Sequence, residues 1–228
     1  MAAPLVFPVG HLLGEIHPGP GAPAGYHAVR VGPEVVRVPD EDSRDVWALA
    51  HPDPSALGEV WTSAALVTTA ERAGIRDAGS LVERLLAQGL LVEVPEEPAA
   101  MVAFARAHRL EPLLVGLGST PEEPLDGIGV PGLLVAARVP PRVFELWQWA
   151  HLWPDLWAAC QGLAEVAVEL GQQEPGETDP QRVLTFALGA TQLLLAHGVA
   201  YLDARRTAGP GTVAAADGRR TASSGSVG

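Results

Sequence analysis

The chain has 228 residues, 47% of them apolar, a single cysteine and a formal net charge of −12, and Arg is its only basic residue type besides His. That acidity argues against a general nucleic-acid binder, which needs excess positive charge to displace counterions. One cysteine, Cys160, excludes an intrachain disulfide. No apolar run reaches the length of a membrane span, and no basic stretch followed by an apolar run opens the chain, so a cytoplasmic protein without a signal peptide is expected.

In chain order, residues 11–16 and 27–38 alternate or run apolar and are rich in Val, which favours strands. The Pro/Gly-rich PGPGAPAG between them is a loop, and Gly32-Pro33 is a turn. Asp40 or Asp42 is placed to cap a helix that buries Val46, Trp47, Leu49 and Ala50, ended by Pro52 and Pro54. A second helix is expected over about 58–72, with Val60, Trp61, Ala64 and Val67 at helical spacing, and a third from Asp77 to Gln88. The third carries Ala78, Leu81, Val82, Leu85 and Leu86 on one stripe, with Gly89 as its C-terminal cap. LLVEV then reads as a strand.

The pattern then repeats. HLLGEIHPGPGAPAGYHAVRVGPEVVRVP (11–39) lies on PLLVGLGSTPEEPLDGIGVPGLLVAARVP (112–140) without a gap, and one deletion then sets Trp47 on Trp147 and His51 on His151. Further on, SLVERLLAQGLLVEV (80–94) resembles ATQLLLAHGVAYLD (190–203). The shared order over so long a stretch marks an internal duplication. In the second copy 133–139 is a strand, and 141–151 and 154–170 are helices. Thr178-Asp179-Pro180 starts a last helix, 180–197, that is apolar nearly all round and so is expected at the junction of the copies or at a dimer contact. These boundaries imply domains at 1–95 and 111–203, a linker helix at 96–110, and a disordered Arg/Ala/Gly/Ser/Thr-rich tail at 204–228.

Strands, three helices and a strand make the winged-helix plan. The expected fold is therefore α+β and helix-rich: two tandem winged-helix-like domains forming an internal pseudo-dimer. The third helix of a DNA-reading winged helix carries polar and basic side chains. Here it offers Arg84 and Gln88 against Asp77 and Glu83 in the first copy, and mainly Leu and Ala in the second, so nucleic acid is not the expected partner.

Sites of chemistry are sparse. No zinc-ligand spacing, GxSxG, P-loop or strand-following GxGxxG is present, so no catalytic residue, metal or cofactor is assigned. GLGST at 116–120 departs from a phosphate loop. Cys160 sits in WAACQGL as an inert core residue. His51 and His151 stand at helix ends, where a His bonds free carbonyls, while His11, His17 and His27 lie in the N-terminal region. Trp147, Trp149, Trp153 and Trp157 form either a buried aromatic core or a partner surface.

The stretch VRVGPEVVRVPDEDSRDVWALA, followed by two helices ending LVERLLAQGLL, resembles the PqqD-like domains that recognise leader peptides of ribosomally made precursors. The second copy is similar to the N-terminal part of ThiF-like cyclodehydratase partner proteins. The likeness spans about 70–90 residues per copy and rests on pattern rather than a diagnostic motif; the family does not normally carry two copies. It implies a non-catalytic adaptor that binds an extended peptide by strand addition and presents it to a modifying enzyme. The implied groove lies between Val35, Val36, Arg37 and Val38 and the face of Leu81, Arg84, Leu85 and Gln88, with Arg37 and Arg84 facing leader acids. For Leu81 and Leu85, plain core packing is the competing reading. Two other classes stay open: a winged-helix transcriptional regulator, and a scaffold subunit of a larger complex.

Overall fold

A computed structural model describes residues 3–17, 19, 25–54 and 61–207. The first half runs β1 (Leu5–Pro8), β2 (His11–Ile16), β3 (Tyr26–Val31), β4 (Glu34–Val38), α1 (Glu41–Leu49), α2 (Ser63–Arg72), α3 (Ala78–Ala87) and β5 (Leu91–Val94). Helix α4 (Pro98–Ala107) follows. The second half runs β6 (His108–Pro112), β7 (Val115–Thr120), β8 (Glu123–Val130), β9 (Leu134–Val139) and α5 (Pro141–Trp149), then a 3-10 turn (Ala150–Leu152). It ends with α6 (Leu156–Glu169), the short α7 (Pro175–Thr178), α8 (Pro180–Ala196) and β10 (Ala200–Ala204). The chain is thus α+β with small antiparallel sheets.

Both halves are wired alike. β2-β3-β4 and β7-β8-β9 are three-stranded meanders, and the first strand of each half pairs antiparallel with its last, β1 with β5 and β6 with β10. Local chemistry repeats in part. Thr62 and Asp155 cap the matching helices α2 and α6, each accepting from the N–H three residues on, whereas the Asp40 cap of α1 and the Asp179 cap of α8 have no side-chain counterpart on α5 and α3. After α3 and α8 the chain turns through Gly89 (φ 69°) and Gly198 (φ 62°), a conformation glycine adopts without a Cβ penalty. The Leu90 N–H then donates to Leu85 O and the Val199 N–H to Leu194 O, closing the same cap twice. The paired tryptophans also match in role: Trp47 donates to Val9 O (3.3 Å) and Trp147 to Val199 O (2.8 Å). Each carbonyl lies where the first and last strands of its half meet.

Several expectations change. α2 begins at Ser63 rather than near 58, because Thr62 accepts from the Ala65 N–H and caps it. Its buried side is Leu66 and Ala70, while Ala64 is exposed; Val60 lies outside the described residues. Trp61 precedes the helix, buried, with its indole N–H on Ala50 O (3.1 Å). Strand β1 was not anticipated: four residues ending in Pro carry no strand periodicity, and the β5 ladder makes them a strand. GLGST, which departs from a phosphate loop, lies within β7. α4 is more than a linker, since Met101, Phe104 and Ala105 are buried and the Phe104 ring stacks on Phe7 at 5.0 Å. The segment from Ala204 begins ordered: Ala204 closes β10, and the N–H groups of Arg205 and Arg206 bond Ala107 O and Pro154 O, both at 2.8 Å. The rest of the expected tail, 208–228, lies outside the described residues, as does most of the PGPGAPAG loop.

One buried apolar cluster lies wholly in the first half; the other fills the second half and takes in Phe7 from β1 and Val94 from β5. The buried apolar residues of helix α8 lie in the second-half core, and the helix reaches the first half through a polar side chain, its Gln192 amide donating to Trp61 O (3.2 Å) and Val6 O (3.4 Å). The junction's polar centre is Asp203, 0% exposed. It accepts from the Gly32 N–H (2.5 Å) and from Arg30 Nη1 (3.2 Å), and Arg109 Nη2 stands 3.6 Å away. Arg30 also donates to the Tyr201 hydroxyl (2.7 Å). The hairpin turn of one half is thus tied to the last strand of the other. Among the described residues no helix is long and apolar enough to cross a membrane.

Candidate functional site

Strand β4 is the outer strand of its meander, paired on one side by β3. The start of the opposite edge is stitched to the second half, where the Gly10 N–H donates to Leu202 O (2.7 Å). The two-residue Gly32-Pro33 loop makes Val31 and Glu34 the closing bonded pair. Bonded and non-bonded pairs alternate from there. Val35 and Arg37, opposite Arg30 and Ala28, therefore turn their backbone N–H and C=O to the open side. Val35 is also 55% exposed, and the Arg37 guanidinium lies 4.7 Å over the Tyr26 ring.

The eight residues read from sequence divide into three groups. Val35 and Arg37 form the open edge. Val38, Leu81 and Leu85 are buried in the first-half core, with Val36 packed against it, so these four serve the core, where β4 packs on α1 and α3 on α1, α2 and β5. Arg84 and Gln88 are exposed on α3. Arg84 is already engaged, its Nη1 donating to Asp40 Oδ2 at 3.0 Å. Burial works against the charged form of Asp40, but the Ser43 bonds and the Arg84 charge outweigh it and hold the carboxyl below its ordinary range. Arg84 therefore anchors the α1 cap and must leave Asp40 to meet an acidic ligand.

What sequence reasoning missed lies in the second half. Leu133 is 83% exposed, and Leu134 and Val135 beside it at the start of the edge strand β9 are also exposed. Their alternation reads as an ordinary strand, and nothing in the spacing announces that no layer covers it. No family model, curated protein or solved structure matches this chain. The reading of function therefore rests on geometry and on the resemblance drawn from pattern.

The reactive side chains are placed as structural ones. Cys160 is fully buried, and desolvation pushes its thiol up to about 12, far from the thiolate a nucleophile needs. Of the four clustered tryptophans, Trp147 is core, Trp153 and Trp157 are half-buried against it, and Trp149 is exposed. Among the described residues no group of three His, Cys, Asp or Glu is arranged to hold a metal ion. His51 bonds Ala48 O (3.1 Å), and its ring stands edge-on to Trp47; His108 bonds Phe104 O (2.9 Å).

Burial lowers the pKa of both His51 and His108 below 6.5. The unfolded chain then binds protons that the folded chain refuses, so stability rises with pH through this window. Urea midpoints are expected to be level above pH 7 and to fall as pH drops below about 6.5. A variant with both residues changed to Gln should show a shallower slope; an unchanged slope would assign the acid sensitivity to other groups.

Proposed function

We propose that this chain is a non-catalytic adaptor made of two tandem winged-helix-like units in an internal pseudo-dimer, and that it binds a peptide or protein segment by strand addition. The observation that carries this reading is the outer β4 edge, where Val35 and Arg37 turn backbone groups outward that have no partner among the described residues. An added strand gains affinity from main-chain bonds and specificity from alternate side chains. The resemblance to leader-recognition domains supports the same geometry, with the bound precursor passed to a separate modifying enzyme. Acidity disfavours nucleic acid as the ligand.

A second reading, a scaffold subunit of a larger assembly, draws on the apolar stretch at Leu133, Leu134 and Val135. An exposed apolar edge strand invites pairing with another chain. Co-purification in a stoichiometric complex that is lost in Leu134→Lys would favour it.

The test uses the whole chain as bait in its native host at low salt, with and without nuclease, followed by mass spectrometry. A peptide or enzyme partner that survives nuclease is expected. Val35→Pro removes one outward N–H while leaving the β3 ladder intact. The Kd of the recovered partner should then rise roughly two- to tenfold, the worth of one hydrogen bond, with Val35→Thr as the neutral control. Unchanged affinity in Val35→Pro would remove the β4 edge from the binding site. Partners that vanish with nuclease would instead support a winged-helix regulator acting on nucleic acid.

A further inference from the structure

The two halves differ most between their second and third long helices. In the first half five residues (73–77) join α2 to α3; in the second, ten residues (170–179) join α6 to α8 and include α7. This longer connection walls a cleft among α5, α6, α7 and α8. Its floor is Leu146, Leu163, Val183 and Phe186, and its volume is about 130 Å³. A cavity of roughly 150 Å³ with such a lining takes a benzene-sized group, so the cleft suits one large apolar side chain.

Its rim has a definite charge. Glu145 and Glu177 line the mouth, and neither carboxylate has a partner among the described residues. Arg142, the one cation of the lining, is already employed: it donates to Gly176 O and lies 4.3 Å over the Phe186 ring, which fastens α7 across the cleft. Helix α6 ends at this mouth with its last carbonyls capped by the N–H groups of Leu170, Gly171 and Gln172 but with no basic side chain in its last turn, so the negative end of its dipole still favours a cation. Leu170 beside it is 75% exposed.

We propose that this cleft docks a basic peptide segment whose single large apolar side chain enters the floor while flanking Lys or Arg residues meet Glu145, Glu177 and the α6 C-terminus. A second copy of this chain suits the cleft poorly, since each copy carries a net charge of −12. The cleft lies in the other half from β4 and takes a ligand of basic character, so it does not depend on the strand-edge reading and the two fail separately.

The probes are three fluorescein-labelled octapeptides titrated against the full chain by anisotropy at low and moderate salt. One has central Leu-Phe flanked by Arg and Lys, one replaces Leu-Phe with Gly-Gly, and one replaces the basic residues with Glu. Only the first should bind, more weakly as salt rises. Ala167→Phe, which fills the cleft from α6, and the double change Glu145→Lys with Glu177→Lys should each weaken it about tenfold or more. Should either variant misfold by circular dichroism, Glu145→Gln with Glu177→Gln tests the charge at surface positions. Equal binding of the acidic peptide, or affinity unmoved in the folded variants, overturns the proposal. So does a wild-type dimer that becomes monomeric in Ala167→Phe, which would place a second copy in the cleft. Val35→Pro should leave this binding unchanged, so a failed strand edge and a failed cleft give different results.

Discussion

Asp203→Ala is expected to destabilise the chain by about 3–5 kcal/mol, the range for breaking a buried ion pair from one side. Asp203 has no access to water, and its removal strands several donors at once. The Gly32 N–H loses its acceptor, Arg30 keeps only Tyr201 and Gly32 O, and Arg109 keeps Glu111. Asp203→Asn keeps an acceptor for Gly32 while removing the charge, so its loss should be smaller. Arg30→Ala added to Asp203→Ala should cost less than Arg30→Ala alone, because the pair is already broken. Urea unfolding followed by tryptophan fluorescence reads all of these. A loss below about 1 kcal/mol for Asp203→Ala would mean that the junction does not depend on this buried charge and is held by its other contacts, among them the Gly10 and Gln192 bonds.

The second large effect is Trp147→Ala, expected at about 3–5 kcal/mol for a large aromatic cut from a packed core. Trp147 is 4% exposed, and its indole N–H is the partner of Val199 O. Trp149, two residues along the same helix and 44% exposed, is the internal control. Trp149→Ala should cost about 0.5 kcal/mol or less, as surface changes do. Trp47→Ala should behave like Trp147→Ala, because Trp47 has the same place in the other half and bonds Val9 O. Equal effects at Trp147 and Trp149 would contradict the assignment of core and surface within the cluster.

The candidate site shows how far residue patterns reach. Val35, Val36, Arg37 and Val38 read as a strand because β-branched residues alternate there, and they form β4. Which of them faces open water depended on register: the Gly32-Pro33 loop length decides that Val35 and Arg37 turn their backbone outward. Leu81 and Leu85 read as core more readily than as groove, and the packing of α3 against α1, α2 and β5 buries both. Arg84 read as a free cation; the fold brings Asp40, 44 residues away, onto it. The cleft was hidden because its rim and floor come from four separate helices.

Sequence by itself determined the duplicated residue pattern, the three long helices of each half, a cap for α1 at Asp40 or Asp42 and for α8 at Asp179, the Gly89 turn after α3, and the burial of Cys160. All of these depend on periodicity or on contacts within a few residues, which a linear pattern records. Tertiary structure alone decided that LVFP at 5–8 is a strand, that α4 joins the second core, and that Asp203 locks one half to the other. It also decided which apolar side chains remain uncovered, from Leu133 on β9 to Leu170 after α6. Those outcomes depend on partners far away in the chain, and burial or pairing by a distant partner leaves no periodic mark on the residues that receive it.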